Sequence, residues 1–453
     1  MRRTKIFKSS LILGLLLLVQ SCGGTQSGQT EPVSIHQRSS DMNTDLNSIH
    51  FSNQSTRNLL YQQDSRVSYC EVLQDSTNYS GFRDTKPYPL ASLSKVVTSS
   101  WVLYRFGPDY RFKSEWSLKA VDAANGIYDA YLKANYDPVI NTEKILFYLA
   151  QLNARGVRSI RELTIDETTR IYLSVLNQPH LELSQVPVSI EDSGKSLFQT
   201  MNSENWGPNT EVAAKKLKSW MQAKNLKFSL PTSFEVQSVV YRPSQEINRD
   251  RYNQGFTIDS APVLTYLKTI NVASNNYLSD FLFWRLGGAK QFIQFQTQQL
   301  KLSANDMSVY TGSGLADQRS GVRKDNMGSC QSMLKVLRYI HRKANDSQVN
   351  LGFLLLNSSR DIEGTFQSKV PMNLRTDNLV VKTGRLFDNP ALNLAGVVST
   401  RRGAMYFTYL GHDFKSSDAD DVEKFRDNML TDLLKFYPTQ SIFSSSSPTT
   451  IFL

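Results

Sequence analysis

The stretch Pro89-Leu90-Ala91-Ser92-Leu93-Ser94-Lys95 sets a hydroxyl and an amine three residues apart where an apolar helical pattern begins. Val96, Val97, Trp101 and Leu103 recur at helical spacing, so a helix is expected to start near Ser92. Residues i and i+3 share a helix face, which brings Lys95 within reach of the Ser92 hydroxyl. The helix N-terminus adds a main-chain N–H suited to an oxyanion. Ser332 and Lys335 repeat the spacing, but inside a predicted helix between Gln331 and Arg338, where the lysine reads as a solvated side chain.

Working outward, two more motifs fall on suitable elements. Ser274 and Asn276 lie at the break between two apolar helical patterns, one carrying Leu264, Leu267 and Ile270, the other Leu278, Phe281, Leu282 and Leu286 before Gly287 and Gly288. A tight loop there can aim a hydroxyl and an amide into a cleft. The Ser-x-Asn spacing also occurs at Ser76, Ser203 and Ser303, so order and context carry the signal. Lys382-Thr383-Gly384 occurs once, at the end of a predicted strand over Leu379–Thr383. Strands at Leu392–Ser399 and Ala404–Leu410 extend it into an antiparallel meander. A strand at Val67–Leu73, a closing helix over about Asp420–Phe436 and a helical stretch from about Ser48 to Gln62 complete this part. Residues 110–250 read as a separate unit with helices over Thr142–Ala154 and Thr210–Ala223 and strands at Ser159–Ile165 and Ile171–Leu176.

The motif order resembles the class C low-molecular-mass penicillin-binding proteins, the D-alanyl-D-alanine carboxypeptidase and endopeptidase family. Pro89 to Lys95 looks like that family's entry motif, Gly107-Pro108-Asp109-Tyr110-Arg111-Phe112 like the segment after it, and Gly312-Ser313-Gly314-Leu315 and Gly364-Thr365 like further signatures. The resemblance implies an α/β (α+β) fold: a penicillin-binding, serine β-lactamase-like transpeptidase domain with an antiparallel sheet flanked by helices, plus an inserted smaller domain. The expected boundaries are 1–21 signal peptide, 22–46 flexible tether, 47–109 and 251–440 catalytic domain, and 110–250 insert. Two departures stand out. Lys382-Thr383-Gly384 is followed by Arg385 where the family has threonine, and the insert's approach to Asp137-Pro138 lacks its usual glycines. Arg385 reads either as a replacement ligand for a substrate carboxylate or as a block in that subsite.

The resemblance implies that Ser92 attacks a D-alanyl carbonyl to form an acyl-enzyme, with peptidoglycan peptides and β-lactams as partners. Lys95 would be the base, which requires its pKa to fall from ~10.4 towards ~7 to 8 through burial and a neighbouring Lys382. Ser274 would relay a proton to the leaving amine and Asn276 would hold the substrate backbone. Lys382 and Thr383 would bind the carboxylate, and the N–H groups of Ser92 and of Arg385, after Gly384, would form the oxyanion hole. The rival readings are a degenerate family member that binds wall peptides without turnover, and a serine β-lactamase. The second needs an activated water for deacylation, and no glutamate loop of that kind is apparent.

Composition places these motifs outside the cytoplasm. Arg2, Arg3, Lys5 and Lys8 precede an apolar run from Leu11 to Val19, and Ser21 then meets Cys22. This is a signal peptide with a lipoprotein-type cysteine, so membrane attachment through lipid at Cys22 and a periplasmic location are expected. The remaining Cys70 and Cys330 can form one disulfide in an oxidising compartment, a pairing sequence alone leaves open. Five scattered histidines without His-Glu-x-x-His give no metal-site spacing, so neither a metal nor a cofactor is expected. The net charge of +10 is spread along the chain and suits anionic envelope polymers. No basic stretch is interleaved with aromatics, which argues against nucleic acid.

Overall fold

The computed structural model describes residues 66–181, 183, 189–361, 364–366, 371–415, 419–440 and 443. The signal peptide, tether, Cys22 and the helix expected up to Gln62 lie outside the described residues. Strands β1 (Val67–Leu73) and β2 (Ser80–Phe82) precede a single 3-10 turn at Ala91–Leu93, which runs into α1 (Ser94–Phe106). Then come β3 (Lys113–Asp122), β4 (Ile127–Lys133), α2 (Thr142–Asn153), β5 (Ser159–Ile165), α3 (Ile190–Met201), α4 (Pro208–Ala223), β6 (Glu235–Tyr241) and β7 (Gln254–Asp259). The chain continues through α5 (Val263–Val272), α6 (Asn276–Arg285), α7 (Gly288–Gln298) and α8 (Cys330–Asp346). It ends with β8 (Leu356–Asn357), β9 (Leu379–Leu386), β10 (Ala391–Thr400), β11 (Gly403–His412) and α9 (Ala419–Phe436).

The main sheet has the order β8-β9-β10-β11-β1-β2, every neighbouring pair antiparallel. All ten residues of β10 are buried, because helices cover both faces of the sheet. The pleat sends alternate side chains to two cores. Val380, Val397 and Tyr406 join Val96, Trp101, Leu334 and Leu337 from α1 and α8, whereas Leu379, Leu394, Phe407 and Tyr409 meet Phe425, Met429 and Leu433 of α9. A disulfide joins Cys70 of β1 to Cys330 at the start of α8, closing a loop with a sequence separation of 260. Replacing both cysteines by serine is expected to lower unfolding stability by roughly 2–5 kcal/mol in a denaturant titration.

A second sheet, β6-β5-β4-β3-β7, is built from the segment between α1 and α5. β5 runs parallel to β4 and β6, with α2 crossing from β4 to β5 and α3 and α4 lying between β5 and β6, while β3 is antiparallel to both its neighbours. Its edge strand β7, Gln254–Asp259, follows the expected insert of 110–250 in the chain. Within Gln254–Asp259 Ile258 is the single fully buried position, which left little periodicity to read. The strand expected at Ile171–Leu176 is a run of turns instead. Ile171 and Val175 are the buried residues, and a separation of four suits a turn rather than the period of two a strand requires. Asp137, beside Pro138, is buried against Lys144, and its carboxylate also accepts from Tyr266 (3.1 Å) and the Val139 N–H (2.9 Å). It ties the insert to α5.

Candidate active site

The turn that carries Ser92 is held from both sides. Asn393 of β10 donates to the carbonyls of Pro89 and Leu90 (2.8 and 3.0 Å), and the Leu90 N–H donates to the Asn326 carbonyl (2.8 Å). Asn326 Nδ2 in turn donates to Ser94 Oγ (2.9 Å). These bonds stabilise Ala91 at φ 48°, a left-handed conformation that costs a non-glycine residue of order 1 kcal/mol or more. Ser274 is also left-handed, at φ 54°, on the break between α5 and α6. Both strained residues sit where a side chain must leave the ordinary direction of a helix end.

From these two breaks and β9 the structure brings five of the motif side chains together. Lys382 Nζ donates to Ser274 Oγ (3.1 Å) and Ser274 Oγ to Ser92 Oγ (3.2 Å). Lys95 Nζ donates to Ser92 Oγ (2.9 Å), Asn276 Oδ1 (2.7 Å) and the Ser313 carbonyl (2.8 Å). Burial of the ammonium is the dominant influence on Lys95 and lowers its pKa to about 7, against the opposing pull of the Asp280 carboxylate. Of the two causes invoked from sequence, burial and the Lys382 charge, burial is the one that lowers it. Asn276 is turned towards Lys95, and its Nδ2 donates to the His180 carbonyl (2.6 Å).

The other motif residues occupy different positions. Thr383 Oγ1 lies 3.1 Å from Thr365 Oγ1, and the Thr365 N–H donates to the Val272 carbonyl (3.1 Å), linking β9 to the end of α5. At Gly384 a Cβ would stand 3.0 Å from the Leu90 carbonyl oxygen, so the absence of a side chain lets the strand lie against the Ser92 turn. The Leu379 carbonyl accepts from Ser358 on the β8 side of β9. Main-chain direction alternates along a strand, so Thr383 and Arg385 present their main-chain groups on that side, where β8 pairing stops at Val381. The Arg385 side chain points to α9, with Nη1 3.4 Å from Glu423 Oε1.

Sequence reasoning missed Asp280 and two main-chain carbonyls. Asp280 lies one turn beyond Asn276 on α6 and accepts the Ser313 N–H (2.7 Å), fixing the carbonyl that receives Lys95. The Ser313 and His180 carbonyls are main-chain groups with no side-chain signal of their own. Gly314, at φ 89°, is packed so closely that a Cβ would stand 1.8 Å from the Ala91 carbonyl oxygen. Gly314→Ala is expected to displace the Ser313 carbonyl or the Ser92 turn, slowing penicillin acylation by at least about tenfold and destabilising the fold by roughly 2–4 kcal/mol. Labelling kinetics alongside a denaturant titration check both effects.

A serine at a helix start, a buried lysine beside it, a Ser-x-Asn break and a Lys-Thr-Gly strand on an antiparallel sheet match a serine acyl-transfer peptidase with a penicillin-binding, β-lactamase-like fold. The model of the family described as D-Ala-D-Ala carboxypeptidase 3 (S13) matches residues 67–173 and 232–433, and the chain belongs to that family. It is a serine-type D-Ala-D-Ala carboxypeptidase, a hydrolase. Among solved structures, the predatory endopeptidase Bd3459 of Bdellovibrio bacteriovorus, in complex with immunity protein Bd3460, is similar at TM-score 0.75 and 25% identity, over 84% of this chain and 96% of that one. The same endopeptidase acylated by penicillin G matches at TM-score 0.71 and 25% identity, over 84% and 96%. Penicillin-binding protein 4 of Haemophilus influenzae shares the fold, at TM-score 0.53 and 16% identity, over 84% and 99%. No curated protein matches the chain.

Proposed function

We propose that the chain cleaves D-alanyl peptide bonds of peptidoglycan with Ser92 as nucleophile and Lys95 as base. The observation that carries this reading is the polar chain from Lys382 through Ser274 and Ser92 to Lys95. With Lys95 deprotonated, its nitrogen keeps two N–H groups and one lone pair. The N–H groups match Asn276 Oδ1 and the Ser313 carbonyl, and the lone pair is left to take the Ser92 proton. Ser92 Oγ then attacks the carbonyl carbon, and the oxyanion is stabilised by the Ser92 and Arg385 N–H groups. Ser274 passes a proton to the leaving amine, while Lys382 and Thr383 bind the substrate carboxylate. Asn276 is assigned a positioning role towards Lys95, since both ends of its amide are engaged within the protein. Water hydrolyses the acyl-enzyme to complete turnover.

Acylation of the Bdellovibrio endopeptidase by penicillin G supports β-lactams as ligands. The basic, apolar, Ser21-Cys22 N-terminal pattern supports export, lipidation at Cys22 and a periplasmic site of action. The Cys70–Cys330 disulfide fits such an oxidising compartment. The test is incubation with a penicillin followed by intact-mass measurement, together with an assay of D-alanine release from a pentapeptide. A persistent adduct with D-alanine release is expected. An adduct without release from any wall peptide would sink the peptidase reading, and rapid adduct loss with hydrolysed drug would replace it by a β-lactamase.

A further inference from the structure

The insert contains a groove of about 860 Å³ between the N-terminal ends of α2 and α4, the C-terminal end of α3 and the turns following Leu173. Most of it comes from residues between the two segments matched by the family model, so it is an addition to what the family assignment explains. Its lining is rich in amides and hydroxyls, including Asn177, Gln199, Asn205, Asn209 and Thr210. Each amide offers both donors and an acceptor. Glu143 and Lys216, the charged residues of the lining, face one another at 3.4 Å, so the groove carries no net charge. Phe198 is half exposed beside these groups and supplies an apolar surface.

A neutral surface that both donates and accepts, next to an exposed ring, is matched to a ligand with hydroxyl and acetamido groups and apolar C–H faces. A phosphate or carboxylate would find no unpaired cation here. The groove is also connected to the catalytic loop. The turns that form its wall accept from the Asn275 side chain at the Val175 carbonyl (2.7 Å), from the Asn276 N–H at Pro179 (2.7 Å) and from the Asn276 side chain at His180 (2.6 Å).

We propose that this groove binds an N-acetylated amino-sugar segment, the glycan that carries the peptide presented to Ser92. The assignment rests on the reading of the substrate as peptidoglycan. Bound glycan holds the peptide near the nucleophile and makes the enzyme prefer peptides still attached to the wall, an advantage expressed mainly in KM.

The experiment has a binding arm and a kinetic arm, both on the whole chain. Chitotetraose, a peptide-free N-acetylglucosamine tetramer, is titrated by calorimetry, with cellotetraose as the control lacking acetamido groups. Binding of chitotetraose alone, weakened at least about fivefold in Asn205→Ala/Asn209→Ala, is expected. In the kinetic arm, kcat/KM is compared for a peptide on its disaccharide and for the same peptide freed of sugar. The wild type should favour the sugar-bearing form by about fivefold or more, and the double variant should bring the ratio towards one. No chitotetraose binding, equal binding of the two tetramers, or an unchanged ratio in the variant overturns the proposal. A wild type that cleaves neither peptide overturns the functional reading instead, and the titration still decides whether the groove takes amino sugars.

Discussion

Ser92→Ala is expected to abolish the covalent penicillin adduct and to lower peptide turnover by about 10⁴- to 10⁶-fold, the range found when a serine nucleophile is removed. The substitution is mild in structural terms. Ser92 Oγ receives Lys95 and Ser274, and both retain other partners: Asn276 and Ser313 for the lysine, Lys382 for the serine. Global stability should therefore change by less than about 1 kcal/mol. Lys382 and the main chain of β9 stay in place, so the variant should still bind penicillin noncovalently. Intact mass and a denaturation curve on one preparation separate chemistry from folding. An adduct of undiminished rate on the folded variant would place the nucleophile elsewhere.

The parts of the site legible in the sequence were those encoded locally. Ser92 and Lys95 are three residues apart at a helix start, Ser274 and Asn276 interrupt two apolar patterns, and Lys382 lies on a recognisable strand, inside β9 rather than at its end. Each could be assigned to an element without knowledge of the fold. The meander of β9, β10 and β11 was visible because turns separate its apolar runs, whereas its pairing with β1 is a long-range contact that sequence did not reveal. What sequence did not reveal depends on contacts distant in the chain or on the main chain. The Ser313 carbonyl meets Lys95 across a separation of 218, and the His180 carbonyl meets Asn276 across 96.

Two features had signals in the sequence. Asp280 was not singled out, yet it stands four residues from Asn276 and hence on the same face. Arg385 was weighed as a ligand or an obstruction to substrate. Strand parity places its side chain opposite to that of Lys382, and in the fold it reaches Glu423 on α9. The pairing is partly exposed and adds little stability. Its consequence is directional, since the main chain of Arg385 remains at the open edge of β9 while the guanidinium is turned away to the α9 side.

Lys95 provides the second large expected effect. Both Lys95→Met and Lys95→Arg should slow acylation by about 10²- to 10⁴-fold, the contribution typical of a positioned base. The arginine variant discriminates between roles, because guanidinium keeps the charge and cannot deprotonate in a protein. Were Lys95 needed only as a cation, arginine would restore much of the rate. The pH dependence tests the same assignment on the wild type. Burial lowers the Lys95 pKa to about 7, so the reactive neutral amine is scarce below that pH and predominates above it. The second-order rate of penicillin acylation should rise about tenfold per pH unit through the acid range and level off above pH 7. Removing the Asp280 charge, as in Asp280→Asn, takes away the influence that favours the ammonium and should move this limb to lower pH. A rate independent of pH between 5 and 8 in the wild type would rule out Lys95 as the titrating base, since a lysine fixed in one protonation state cannot produce that limb or its displacement.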